Sequence, residues 1–504
     1  MRSLPALRQA TSTLLRRSTI HDVLRRRAAR DPHHPAIVQH DADGGRRQID
    51  YRELDAAVNA VAQRWIASGL RRGEVVAAVG SGCIEYVIAY YAALRCGAAF
   101  TGFSPTATPP EVDYFVRHAQ PARIVVDDAL VSTYEGGFGA GRPIESMMAL
   151  LPTSSPTVPE PHVDVDEDDI AMLVYTSGTE SRPKGVMVTH RAFMVATTFA
   201  WVLEGYLRPW DRFLVLAPMH TMAGLGTTTN IITSGATIIL SGSTSADVVR
   251  QVISDEQVTN MSQTPAFYRR LVEAPGFDAR QLASLQQCHT YGGLAQPAVF
   301  EQLSEALPSM TWATYWGQTE LSQLGSIGFF RSLDDVPRRD PRWIGRAVPH
   351  LDVRIVDEED RDVTAGELIV RSPAVMAGYL DDPQATTFAT RNGWLRTGDL
   401  VEMDEHRNLF FLDRRKDVIK TGGTNVSSLE VEQVLSTHPA VMEVAVVGLP
   451  DPTWSEAVTA FVVLAEGAAA DPQELRDHCR LTLSAHKVPK SVHLVDALPR
   501  DSQG

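Results

Sequence analysis

Apolar and charged positions alternate at helical spacing over residues 20–36 and again over 51–68, which predicts two amphipathic helices. A short apolar run at 75–79 reads as a buried strand, closed by the turn Gly80-Ser81-Gly82. A helix over 84–94 stopping at Gly97, a strand over 98–103, a helix over 109–119 and a strand over 124–126 ending at Asp127-Asp128 continue the pattern. Strand–helix alternation with this punctuation predicts a parallel sheet covered by helices. Residues 135–169 are rich in Gly, Pro and Ser and acidic at their end, the texture of a surface connection. The alternation then resumes with helix 191–207, strand 213–217, a helix from Ala223, strand 236–240, helices 246–254 and 265–273, and strand 287–291. Over 353–404 the pattern changes to short β-type runs (353–356, 367–370) separated by turns, which suggests a smaller β unit. After Asp413 comes a tail of strand 418–420, helix 428–436, strands 441–448 and 458–464, helix 472–483 and strand 491–494, the size of a small independent domain.

At 504 residues the chain is long enough for more than one domain, and 44% hydrophobic content is that of an ordinary soluble globular protein. A formal net charge of -14, with no block of Lys or Arg, argues against a nucleic-acid partner. The four cysteines (Cys83, Cys96, Cys288, Cys479) are scattered, so neither a zinc site nor a disulfide framework is expected, and a reducing compartment fits. No run of about 18 apolar residues occurs, so no membrane span is expected. The basic, Ser/Thr-rich stretch before Ile20 lacks a secretory apolar core and reads as a helical extension on a cytoplasmic protein. The only lysines are Lys184, Lys416, Lys420, Lys487 and Lys490. In so arginine-rich a chain, a lysine is more often one required as a compact point charge.

One of them, Lys184, lies within residues 173–190, LVYTSGTESRPKGVMVTH. A strand leads into a loop of small and hydroxyl residues, Thr176, Ser177, Gly178 and Thr179, and Lys184 stands at its far end. Backbone N–H groups, hydroxyls and a fixed positive charge aimed at one spot are what a polyphosphate requires. Gly178 and Lys184 have the spacing of a P-loop, but Pro183 and Gly185 replace its second glycine and its hydroxyl, so that reading fails. A solvent loop between two strands is the plainer alternative. The loop resembles the phosphate-binding motif of the adenylate-forming superfamily of acyl-CoA synthetases, peptide-synthetase adenylation domains and luciferases. Ser181 departs from it, standing where that family has glycine.

Further stretches resemble the same family in the family's order. Tyr291-Gly292-Gly293-Leu294 resembles its glycine-rich turn at the acyl pocket, although alone it reads as a strand-end turn. Trp316-Gly317-Gln318-Thr319-Glu320 resembles its aromatic-G-x-T-E motif. That match implies that Trp316 stacks on adenine, Thr319 contacts the α-phosphate and Glu320 binds Mg2+. Trp394-Leu395-Arg396-Thr397-Gly398-Asp399 resembles W-x-x-T-G-D, whose Asp grips the ribose. Asp413-Arg414-Arg415-Lys416-Asp417, followed by Gly422-Gly423 and Asn425, resembles D-R-x-K-D…G-G-x-N. There Asp413 would be the interdomain hinge, Arg414 a ribose contact, and Gly422 and Gly423 the approach for the pantetheine arm of coenzyme A. The resemblance implies an α/β fold: a large N-terminal domain over residues 1–412, of two stacked αβ subdomains plus a small β unit, and a small mobile α+β C-terminal domain over 413–504. It implies ATP or an acyl-AMP, Mg2+ and coenzyme A as ligands, with Thr319, Glu320 and Lys184 as the catalytic set.

Adenylating enzymes for amino acids usually carry an Asp after the strand that follows the phosphate loop. Residues 217–224 contain no acid, and an unpaired ammonium would be costly to bury there. The expected substrate is therefore a small-molecule acyl or aryl carboxylic acid, or its adenylate. Acyl-CoA ligases often show P-x-x-H-x-x-G here; His220 lies one position early, as a pocket-wall residue or as a plain buried histidine. The family's adenylating lysine follows an L-P-x-x-x-x-G ending, which Leu498 to Gly504 match before the sequence stops. Three expectations follow. The first is a ligase with its thioester-forming half intact and its adenylating half impaired, supplied by a separate adenylating partner or by its own residual activity. The second is a complete ATP-dependent synthetase seen as a truncated chain. The third is a non-catalytic acyl- or nucleotide-binding protein of the same fold, against which the Gly422-Gly423 loop argues.

Overall fold

A computed structural model describes residues 18–134, 144–151, 158–176, 183–198, 207–291, 297–421, 424–465 and 467–499. The chain divides into two compact units. One comprises Met1–Met261, Gly317–Leu324 and Pro373–Pro383; the other comprises Ser262–Trp316, Gly325–Ser372 and Gln384–Gly504.

The first unit is built on a mixed sheet in the spatial order Gly378–Tyr379, Lys184–Thr189, Ile170–Thr176, Ala99–Phe103, Val75–Val79, Arg123–Val126, Ile144–Ser146. The strands from Ile170–Thr176 onward are parallel, as the βα alternation predicts, and the two at the other edge are antiparallel. Helix Ile84–Arg95 is buried along its whole length. Its guanidinium at Arg95 is taken up by Asp55 at 2.8 Å and Asn59 at 2.7 Å, so the buried charge is paired. Helix Pro109–Ala119 begins with a capping box between Thr108 and Glu111 and with proline in its first turn. It lays Val112, Phe115 and Val116 against Phe103 and Tyr175 of the sheet. A second set of strands in this unit pairs Arg212–Val215, Thr237–Ser241 and Pro35–His40 in parallel, with Arg46–Asp50 antiparallel at the edge.

Two expectations are corrected here. The helix predicted over 20–36 stops at Arg30, and Pro35–His40 is a strand. Pro32 and Pro35 cannot donate to a helical ladder, and each drives the residue before it toward extended backbone. The connection predicted over 135–169 contributes an edge strand, Ile144–Ser146, paired with Arg123–Val126. The predicted helix 191–207 is present as His190–Thr197, and residues 199–206 lie outside the described residues.

In the second unit, Gln287–Thr290 and Thr311–Trp316 run parallel, and Ser326–Phe330 and Arg346–Ala347 continue antiparallel. The predicted β unit is an antiparallel sheet in the order Asp352–Val356, Ala365–Arg371, Leu395–Met403, Leu409–Arg414. Among the described residues, the C-terminal αβ segment has five strands and the helices Ser428–Ser436 and Pro472–Arg480, around a core of its own that includes Val431, Leu435, Val458, Val462 and Leu475. The fold is α/β with a small C-terminal αβ domain, as the sequence predicts.

Candidate active site

The phosphate-loop stretch is a hairpin. Tyr175 pairs with Gly185 and Thr176 with Lys184, so the strand's last hydroxyl and the lysine stand opposite each other at its open end. Ser177, Gly178, Thr179 and Ser181 lie outside the described residues. The hairpin is held from behind: the Tyr175 hydroxyl meets His118 Nδ1 at 2.8 Å, and the Tyr114 hydroxyl donates to the Pro183 carbonyl at 3.0 Å. Lys184 Nζ sits 5.2 Å from the centre of the Tyr379 ring, a cation–π distance. The Tyr379 hydroxyl in turn donates to Glu320 Oε1 at 3.0 Å. Burial, and then the Glu320 charge, push the Tyr379 phenol well above its usual range, so it stays a donor. Lys184 and Glu320 are thus linked through a tyrosine that the sequence reading missed. Its one signal was the short Gly378-Tyr379 pair, which adds an edge strand beside Val186 and Met187.

Glu320 rides on a locked turn. Thr319–Leu321 form a single 3-10 turn, closed by Ser322 N to Thr319 O at 3.0 Å and Gln323 N to Gln318 O at 3.1 Å. Ser322 and Gln323 hold φ of +55° and +103°, left-handed backbone that costs a non-glycine residue about 1–3 kcal/mol. A Cβ on Gly317 would lie 1.5 Å from the Gln323 carbonyl oxygen, which is why the aromatic is followed by glycine. Met376 N donates to the Glu320 carbonyl at 2.8 Å, and Ser322 Oγ to the Ala374 carbonyl at 2.7 Å. Preorganisation of this kind suits a metal-holding carboxylate. One carboxylate with a neighbouring hydroxyl also fits magnesium, which takes one or two protein carboxylates together with phosphate oxygens.

Trp316, Asp399 and Arg414 come together in the second unit. Trp316 Nε1 donates to Asp399 Oδ2 at 2.7 Å, and Arg414 Nε lies 3.5 Å from Asp399 Oδ1. Asp399 is 2% exposed. Its turn is fixed by Glu367: Gly398 N donates to Oε1 at 3.3 Å, and Arg396 Nη1 to Oε2 at 3.0 Å. Thr397 Oγ1 donates to the Leu368 carbonyl at 2.6 Å and accepts from Asp399 N at 3.1 Å. Gly398 has φ +71°, which explains the glycine in T-G-D. Asp413 is the last residue but one of strand Leu409–Arg414 and accepts from Arg414 N at 2.7 Å and Ser428 N at 2.9 Å, tying the β unit to the first helix of the C-terminal domain. Burial pushes its carboxyl above the ordinary Asp range. Gly422 and Gly423 lie outside the described residues.

His220 is buried in the loop before helix Met222–Ser234, which Thr221 caps by accepting from Gly224 N at 3.1 Å. Two glycines seat this loop over the ends of their strands. A Cβ on Gly82 would stand 2.9 Å from Met219 Cγ, and one on Gly102 would stand 2.7 Å from His220 Cα. The expected Gly292 and Gly293 lie outside the described residues. The Tyr291 ring just before them stacks on Tyr315, centroids 5.5 Å apart. Behind them His289 is buried, and burial alone drives its imidazole well below the usual histidine range, which keeps it neutral. The helix after His220 carries a buried amide network to Gln323 that no local pattern could show, since its members lie far apart in the chain.

In the first unit a carboxylate on a fixed turn stands near a lysine and a phenol, and in the second a buried acid accepts from an indole. Residues 24–380 match the AMP-binding enzyme family and 430–504 the AMP-binding enzyme C-terminal domain. The chain belongs to this adenylate-forming family, on its acid–thiol ligase side. Among its relatives is the long-chain-fatty-acid–CoA ligase of Bacillus subtilis, 30% identical over 96% of this chain and 92% of that protein. A feruloyl-CoA synthase from an Amycolatopsis species is 31% identical, covering 95% of each chain. Among solved structures, the O-succinylbenzoate coenzyme A synthetase of Bacillus subtilis with ATP and a magnesium ion superposes with a TM-score of 0.83 at 25% identity, over 95% of this chain and 97% of that one.

Proposed function

We propose that this protein joins a carboxylic acid without an α-amine to coenzyme A through an acyl-adenylate. The observation that carries the reading is the Lys184–Tyr379–Glu320 chain of contacts: a cation and a fixed carboxylate held through one half-buried phenol. That arrangement serves a polyphosphate and its metal. Glu320 would hold magnesium, which when bound neutralises phosphate charge. Lys184, with the hydroxyls of Thr176, Ser177 and Thr179 and the backbone of Gly178, would hold the phosphates, and Thr319 the α-phosphate. Trp316, Asp399 and Arg414 would hold the adenosine. In the first half-reaction a carboxylate oxygen attacks the α-phosphorus, and pyrophosphate leaves with the bonding pair. In the second the thiol sulfur attacks the acyl carbon, loses its proton, and AMP leaves.

The acid side rests on residues 217–224, which contain a buried His220 and no carboxylate and lead into a helix start without a charged side chain. The relatives named for fatty and aryl acids agree with it. Residues 1–412 would form the catalytic domain and 413–504 a mobile one turning at Asp413, with Gly292 and Gly293 on the acyl side and Gly422 and Gly423 meeting the pantetheine arm. A cytoplasmic setting suits a CoA-consuming enzyme, and no helix among the described residues is long and apolar enough to cross a membrane. The test is to assay the halves separately over fatty, aryl and amino acids: ATP–pyrophosphate exchange for the first, thioester formation from synthetic adenylates for the second. Exchange with fatty or aryl acids and none with amino acids is expected; the reverse preference overturns the acid assignment. The same pair of rates decides whether adenylation is the weaker half and a separate adenylating partner is needed.

A further inference from the structure

Helix Met222–Ser234 buries an unusual run of polar side chains, Thr227, Thr228, Thr229 and Asn230. One group from outside the helix ties two of them together. The Gln323 amide donates to Thr227 Oγ1 at 3.0 Å and accepts from Asn230 Nδ2 at 2.8 Å. Asn230 Oδ1 accepts from Thr197 Oγ1 at 2.8 Å, which extends the network to helix His190–Thr197. The helix face is cut away to admit the amide: a Cβ on Gly226 would stand 2.8 Å from Gln323 Oε1. Gln323 is itself 7% exposed, at φ +103°, on the turn that carries Thr319 and Glu320. Strained backbone and a buried amide in one residue persist only where the surroundings over-determine them, and such residues gather where geometry has a task.

We propose that Gln323 is a positioning residue that couples the acid side of the site to the magnesium–nucleotide side. Its amide fastens the helix that starts at the His220 loop to the turn that carries Glu320, so the two move as one body. An acid packed against the helix start then favours the Glu320 position that suits magnesium–ATP, and magnesium–ATP favours the helix position that suits the acid. This inference rests on the reading of the His220 helix as the acid-side wall. It goes beyond that reading by giving the two substrates a shared free energy through one named side chain.

The test measures that coupling directly. Gln323→Gly keeps a residue at ease with φ +103° while deleting the amide. Thr227→Val removes only the hydroxyl partner at nearly constant volume, and serves if the first variant folds poorly. The probes are α,β-methylene-ATP with Mg2+, which binds without reacting, and whichever of benzoic, cinnamic, octanoic and palmitic acids the wild type adenylates best. Saturating acid is expected to tighten nucleotide binding to the wild type about 5-fold or more, with the same factor in reverse. In both variants that factor falls to about 1, while each ligand alone binds within about 3-fold of its wild-type affinity. A side chain that merely stabilises the fold would lower the melting temperature and leave the coupling factor intact, and that result overturns the proposal. So does a wild type without coupling. A wild type that adenylates amino acids in place of these acids overturns the proposed function together with this inference, whereas adenylation of these acids with unchanged coupling in the variants overturns this inference alone.

Discussion

Tyr379 shows how much one side chain settles. Its ring lies under Lys184, and its hydroxyl holds Glu320 Oε1 at 3.0 Å. Tyr379→Phe keeps the ring and deletes the hydrogen bond to a charged acceptor, an interaction worth about 1.5–3 kcal/mol. A fall of about 10- to 100-fold in kcat/KM for ATP–pyrophosphate exchange is expected, with little change in melting temperature. Full exchange activity in that variant would remove Tyr379 from the site. Glu432 makes a prediction of another kind. Burial, and then the nearby Asp413 and Asp417 charges, raise its carboxyl to about 7, against the Val446 N–H that donates to it at 2.7 Å. The folded chain therefore keeps a proton that the unfolded chain has released between about pH 4.5 and about pH 7. Stability from this group is full below that window and is lost as pH rises through it. Melting temperatures on either side of the window should show the decline in the wild type and a smaller one in Glu432→Gln.

At the scale of the element, the turn from Gly317 to Leu324 carries the strictest geometry. Gly317→Ala would drive a methyl into the Gln323 carbonyl, and no flexible side chain stands there to give way. Loss of exchange activity with a destabilisation of about 1–3 kcal/mol is expected, read from urea unfolding. An alanine variant with normal activity would mean that the turn is looser than its hydrogen bonds indicate. Much of this architecture was legible in advance. Gly80-Ser81-Gly82 and the glycine at 97 mark element ends that any helix or strand of those residues must respect. Although Pro32 and Pro35 mark the helix end, the strand Pro35–His40 was hidden because the parallel partner on its inner side, Thr237–Ser241, lies far off in the chain and periodicity carries no trace of it. Tyr379 and Glu320, 59 positions apart, and Gln323 and Asn230, 93 apart, were hidden for the same reason. Trp316 and Asp399 were singled out on separate motifs, and the fold sets them 2.7 Å apart.

For the whole molecule, the proposed pivot is Asp413, where the antiparallel β unit passes into the C-terminal αβ domain through two backbone N–H bonds to one carboxylate. Hinge residues absorb backbone rotation and need not touch substrate. Asp413→Pro fixes φ and deletes the carboxylate, and it should slow thioester formation about tenfold or more while sparing pyrophosphate exchange. Equal losses in both steps would speak for a structural role instead. The central claim is that one site makes an acyl-adenylate and then hands its acyl group to a thiol. It is tested most directly by one incubation of the protein with magnesium–ATP, the preferred fatty or aryl acid and coenzyme A, sampled over time by mass spectrometry. The account predicts AMP and acyl-CoA in equal amounts, with the enzyme-bound acyl-adenylate accumulating when coenzyme A is left out. ADP as the product, or an adenylate that coenzyme A never discharges, would contradict it.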